Sequence, residues 1–142
     1  GLGGAEGMTR ILRDLESLGM VQFLDNSRSV CLQNENTAIQ RLKVLSAMAD
    51  LEGLRETLEG LSSKGILFGS RSTGNSRSDS DYDLLVVGGN PDEIKGIVER
   101  HPLGKRIEVC VWNPDDFLMI HKKDPTLAKK VEAGVVLWGS SW

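Results

Sequence analysis

Two aspartates separated by one residue, Asp81 and Asp83, stand where a polar loop gives way to an apolar run. Side chains in a strand repeat with a period of two, so both acids point to one side, roughly 7 Å apart at their Cα atoms. Carboxylates that close repel unless a cation lies between them or one takes a proton. Hard oxygen ligands of this kind suit Mg²⁺, which commonly takes one or two carboxylates together with substrate phosphates. Upstream, Gly69 and Ser70 end another apolar run. A strand that breaks at Gly-Ser into a short helix aims backbone N–H groups at an anion. Gly69 permits close approach, the Ser70 hydroxyl can donate to a phosphate oxygen, and Arg71 adds charge from a better position than Arg77. Glu108 is the one acid within RIEVCVW, on the face opposite Ile107, Val109 and Val111, and is the candidate third carboxylate, as metal ligand or general base. Asp79 shares the parity of the pair but lies in the polar loop. Acids for a metal and donors for a triphosphate on neighbouring strands make a phosphoryl- or nucleotidyl-transfer arrangement.

These residues need elements to hold them. From Gly65 the chain alternates strand and helix. GILFG and DLLVVGG read as strands, the second buried on both faces. PDEIKGIVERH opens with Pro91 and two acids, a helix start. RIEVCVW alternates as a strand; NPDDFLMIHKKDPTLAKKVEAG is helical with a break near Asp124-Pro125; VVLWG is a last short strand. The expected class is α/β, a central sheet with helices. Ahead of it, Ile39, Leu42, Leu45 and Met48 form one helical stripe and Leu51, Leu54, Leu58 and Leu61 a second, with Asp50 as the expected N-cap between them. MTRILRDLESLG reads as a helix stopped by Gly19, and VQFLDNSRSVCLQ as a hairpin around Asp25-Asn26-Ser27. The expected divisions are residues 1–35, a helical linker over 36–62, and residues 63–142.

The chain has 142 residues and a formal net charge of −3. Six Lys/Arg face nine Asp/Glu in residues 1–62, so the acid excess lies there and argues against a general nucleic-acid coat. Cys31 and Cys110 are isolated and lack metal-ligand spacing; a reducing, cytoplasmic interior is expected. No apolar run has membrane-spanning length. GLGGAEG reads as an expression remnant or an interior start, with Met8 as a candidate first residue. His101 reads as a helix-end residue, and His121 and the Lys129-Lys130 pair as solvated. Trp112, Trp138 and Trp142 read as core or edge aromatics, Trp142 also as an interface candidate.

FGSRSTGNSRSDSDYDLLVV, residues 68–87, resembles the signature of minimal nucleotidyltransferases of the polymerase-beta-like superfamily: Gly-Ser, ten residues, then Asp-hydrophobic-Asp before an apolar strand. The likeness extends over roughly residues 60–140. It implies a nucleotidyltransferase fold, a small mixed sheet flanked by helices. It also implies that Gly69, Ser70 and Arg71 bind the nucleotide, and that Asp81, Asp83 and Glu108 are catalytic and hold Mg²⁺ or Mn²⁺. The substrate implied is an NTP, ATP by preference, and the acceptor a hydroxyl. The family often has Asp at the third position, where this chain has Glu108. Many such proteins pair with a helical HEPN partner as toxin and antitoxin, and some transfer AMP to a tyrosine of that partner. The segment LRDLESLGMVQFLDNSRSVCLQNEN resembles the recognition helix and wing of winged helix-turn-helix regulators, without the two upstream helices such domains need; Arg10, Arg13 and Arg28 are its candidate phosphate contacts. Two further readings therefore stand beside the enzyme: a non-catalytic antitoxin or regulatory module with a vestigial nucleotide site, and a DNA-binding regulator. A homo-oligomeric contact through the N-terminal segment is a further expectation.

Overall fold

The computed structural model describes residues 13, 14, 17, 21–24, 29–32, 36–77 and 79–140. The chain divides into two compact units, residues 1–42 and 43–142. In the first, β1 (Val21–Leu24) and β2 (Ser29–Leu32) pair antiparallel, with Val21 opposite Leu32 and Leu24 opposite Ser29. The hairpin read from VQFLDNSRSVCLQ is therefore present. Of the helix read from MTRILRDLESLG, residues 13, 14 and 17 are helical and the rest lie outside the described residues, as do Arg10 and Arg28.

Helix α1 (Thr37–Asp50) runs through the division between the units. Its first turn is capped by Asn36, whose Oδ1 accepts from the N–H of Ala38 at 2.8 Å. Helix α2 (Glu52–Glu59) follows after the single residue Leu51. Asp50 is not its N-cap: Leu51 holds that position and no side chain caps the helix. The Asp50 carboxylate is engaged elsewhere, accepting from the Tyr82 hydroxyl at 2.6 Å.

The second unit continues with β3 (Lys64–Phe68), α3 (Ser70–Thr73), β4 (Tyr82–Val87) and α4 (Pro91–Arg100). A 3-10 turn over Gly104–Arg106 leads into β5 (Ile107–Trp112). Then come α5 (Pro114–Leu118), α6 (Ile120–Lys123), α7 (Pro125–Glu132) and β6 (Val135–Trp138). Four strands form one mixed sheet in the order β5-β4-β3-β6. β3 runs antiparallel to both β4 and β6, and β4 parallel to β5. The parallel pair needs a crossover, which α4 supplies. Asn90 caps it, accepting from the Glu93 N–H at 3.1 Å, and Pro91 fills the first helical position.

Strand parity divides the core in two. Leu84, Val86, Ile107 and Leu67 join Leu54 and Leu58 of α2 and Ile94 and Val98 of α4 on one face. Ile66, Phe68, Leu85 and Val87 pack with Ile120, Ala128 and Val131 on the other. DLLVV is apolar throughout because β4 lies between these layers; Leu84, Leu85 and Val86 are buried. Among the described residues no helix is long and apolar enough to cross a membrane.

Candidate active site

The register of three neighbouring strands assembles the site. Phe68 of β3 lies opposite Asp83 of β4, and Asp83 opposite Glu108 of β5. The residue after Phe68 is Gly69, so the Gly-Ser turn and two of the three candidate acids meet at one end of the sheet. Gly69 has φ +74° and ψ −158°, a backbone region open in practice to glycine alone. A Cβ built there would also collide with the Asp83 carboxylate. The turn itself is pinned by Ser72, whose N–H and hydroxyl donate to the Gly69 carbonyl at 3.0 and 2.7 Å. Ser70 opens α3, a single helical turn closed by Gly74 at φ +83°. The Gly74 N–H closes that turn on the Ser70 carbonyl at 3.2 Å.

Asp83 and Glu108 stand side by side as register partners of the parallel strands β4 and β5. The Asp83 carboxyl is pushed above the usual aspartate range, first by burial, then by the charge of Glu108 and the charge of Asp81. Lys130 on α7 acts against that shift. Two neighbouring carboxyls repel unless one holds a proton or a cation lies between them. Asp81, just before β4, is exposed. Among the described residues no three acids, histidines or cysteines converge closely enough to form a ready cage for an ion. Mg²⁺ does not need such a cage, since it keeps waters and takes one or two carboxylates alongside phosphate oxygens. The donor set at Asp83 and Glu108, hard oxygens next to the Gly69 turn, fits such an ion, with Asp81 beside it.

The basic residues are placed differently from one another. Arg71 turns back: its Nε and Nη2 donate to the Ser80 carbonyl at 3.2 and 2.8 Å, and its guanidinium lies 4.4 Å from the Tyr82 ring centre. Arg77 and Asp79 are exposed in the loop, where Ser80 bonds back to Arg77 through both its N–H and its hydroxyl. Sequence reasoning missed three participants. Lys130 is exposed, as the Lys129-Lys130 pair reads, and its charge is nonetheless felt at Asp83. Ser72 is buried under the Gly69 turn. Arg106 donates to the same Ser80 carbonyl as Arg71, at 3.0 Å. Only Ser72 had a signal in the sequence, its place two residues into the helix after Gly-Ser. Cys110, two residues beyond Glu108 on the same strand face, is half-buried, and burial together with the charges of Asp83 and Glu108 raises its thiol pKa. His101 ends α4, its Nδ1 accepting from the Leu103 N–H, and exposed His121 pairs with Glu132 at 2.8 Å. The described surface clefts, one beside Lys64 and Phe117 and one beside Thr57 and Arg100, lie away from the acids.

The family model described as "Polymerase beta, Nucleotidyltransferase" matches residues 63–141. Among solved structures, a provisionally assigned nucleotidyltransferase from Sulfolobus solfataricus is similar, at 20% identity and a TM-score of 0.43, over 72% of this chain and 85% of that one. No curated protein matches the chain.

Proposed function

The chain belongs to the polymerase beta nucleotidyltransferase family, and on that premise we propose that it transfers a nucleoside monophosphate, AMP from ATP, to a hydroxyl acceptor and releases pyrophosphate. The observation that carries this reading is the aligned register Phe68–Asp83–Glu108, which sets a carboxyl pair against the Gly69 turn. Asp83 and Glu108, with Asp81 beside them, would hold Mg²⁺ or Mn²⁺. Such an ion, when bound, neutralises the acids and the charge that develops on the phosphates. The chain's own part is positioning. Backbone amides at Ser70 and Arg71 and the Ser70 hydroxyl receive phosphate oxygens. Lys130 adds a positive charge on the α7 side of the site. Glu108, on the edge of the pair nearest solvent, accepts the proton of the attacking hydroxyl at its carboxylate oxygen. Burial of β4 on both faces keeps Asp83 from drifting. A tyrosine of a HEPN-type partner is the first acceptor to assay.

Calorimetric titration of the full chain with ATP, with and without Mg²⁺, tests the proposal against the Asp81→Ala/Asp83→Ala double variant. Binding should require both the metal and the aspartates, and Asp81→Asn should lower turnover by about a hundredfold or more, ~2.7 kcal/mol of barrier. A folded wild-type protein that binds no nucleotide, or a double variant that binds as well as wild type, overturns the reading.

A further inference from the structure

One carbonyl oxygen joins the three segments that carry the site. The Ser80 carbonyl accepts from Arg71, which follows Gly69-Ser70 on α3, and from Arg106, which precedes Glu108 on β5. Ser80 itself immediately precedes Asp81. The next residue, Tyr82, is held as firmly. Both guanidiniums lie over its ring, Arg71 at 4.4 Å and Arg106 at 5.8 Å from the centre, and its hydroxyl donates to Asp50 at 2.6 Å. Burial, then the bond to Asp50, raises the phenol pKa, so it remains a donor at neutral pH. Tyr82 points to the opposite sheet face from Asp81 and Asp83. The backbone is thus fixed on both sides of Asp81 from behind the sheet, while the carboxylate itself stays exposed.

We infer that Arg106 is a positioning residue: with Arg71 and the Tyr82 ring it locks the Ser80 carbonyl, and so sets Asp81 in line with Asp83 and Glu108 to receive a divalent cation. The inference rests on the reading of those acids as a cation site. Charge-assisted bonds from two planar guanidiniums to one acceptor fix direction as well as distance. The cation–π contact of each with the Tyr82 ring restrains it further. A lysine or a neutral side chain reproduces only part of this.

Electrostatics and positioning make opposite predictions. Arg106 is a cation near an acid cluster, so its removal by charge alone would tighten cation binding. If it positions Asp81, removal weakens binding. The experiment uses the ¹⁵N-labelled full chain as wild type, Arg106→Met and Arg106→Lys. Backbone relaxation without metal reports the order of Ser80–Asp83; signal broadening during titration with Mn²⁺ alone reports the affinity and place of the ion. In Arg106→Met, Ser80 and Asp81 should become mobile and the Mn²⁺ midpoint should rise about tenfold, the scale of one hydrogen bond to a charged group. Amides of Leu85 and Val98 should be unchanged, and Arg106→Lys should recover most of the affinity. Unchanged order at Asp81 in Arg106→Met overturns the inference, as does unchanged or tighter Mn²⁺ binding. If Arg106→Met fails to fold, Arg106→Lys decides: order and affinity between wild type and none support the lock, and full wild-type values overturn it. If wild type shows no broadening near the acids, the cation reading fails on its own, and relaxation at Asp81 still decides whether Arg106 fixes the backbone.

Discussion

At the scale of single residues, Gly69 and Asp83 define each other. The positive φ of Gly69 and the carboxylate against its Cα exclude any side chain. Gly69→Ala should therefore cost roughly 1–3 kcal/mol of stability and abolish nucleotide binding, which urea melts and calorimetry would read on one sample. Asp83 gives a pH signature. Its folded-state pKa is raised, by burial first and by Glu108 second, so the folded protein holds that proton more tightly than the unfolded chain. Between the ordinary aspartate value, about 4, and the raised one, the folded state binds more protons, and stability falls as pH rises. Metal-free urea melts across that window should show the decline. Asp83→Asn should flatten it, and saturating Mg²⁺ should oppose it at the upper end, because the ion takes the place of the proton.

At the scale of elements, three helices start on the same grammar. Asn90-Pro91, Asn113-Pro114 and Asp124-Pro125 each place an accepting side chain before a proline at the first helical position. Two of these starts were legible from Pro91 and Asp124-Pro125, because capping is local chemistry. Asn90→Ala should cost about 1 kcal/mol and lower the thermal midpoint, without moving the metal dependence of nucleotide binding, since α4 carries no residue of the site. The strands were equally plain, down to the Ile107/Val109/Val111 face of β5, since parity is written in alternation. What composition and spacing did not hold was order. Nothing local says that β4 lies between β3 and β5, or that Glu108 stands opposite Asp83 rather than two residues along. Asp50 shows the same limit from the other side. It has the right type and place for a cap, but Tyr82, 32 residues away, claims its carboxylate. Arg106 reaches the Ser80 carbonyl across 26 residues, a contact that only tertiary structure reveals.

At the scale of the whole molecule, the second compact unit has its own two-layered core and contains every candidate site residue. A chain beginning at Asn36, which keeps the cap of α1, should fold cooperatively and bind Mg²⁺-ATP within about threefold of the full chain, a difference under ~0.7 kcal/mol. Loss of binding in a folded fragment would give the first 35 residues a part in the site. The arrangement also bears on which insertions and deletions the gene can carry. Residues 74–77 and 79 lie outside any helix or strand, and a change of length there leaves strand parity intact. Between Ser80 and Leu84 the chain has no such latitude. One residue added or lost there reverses the parity of everything on one side of the change. The tyrosine would be thrust among the acids, and the carboxylates would be driven into the apolar layer of Leu84 and Val86. Lineages of this domain should therefore keep strict count from Ser80 to Leu84.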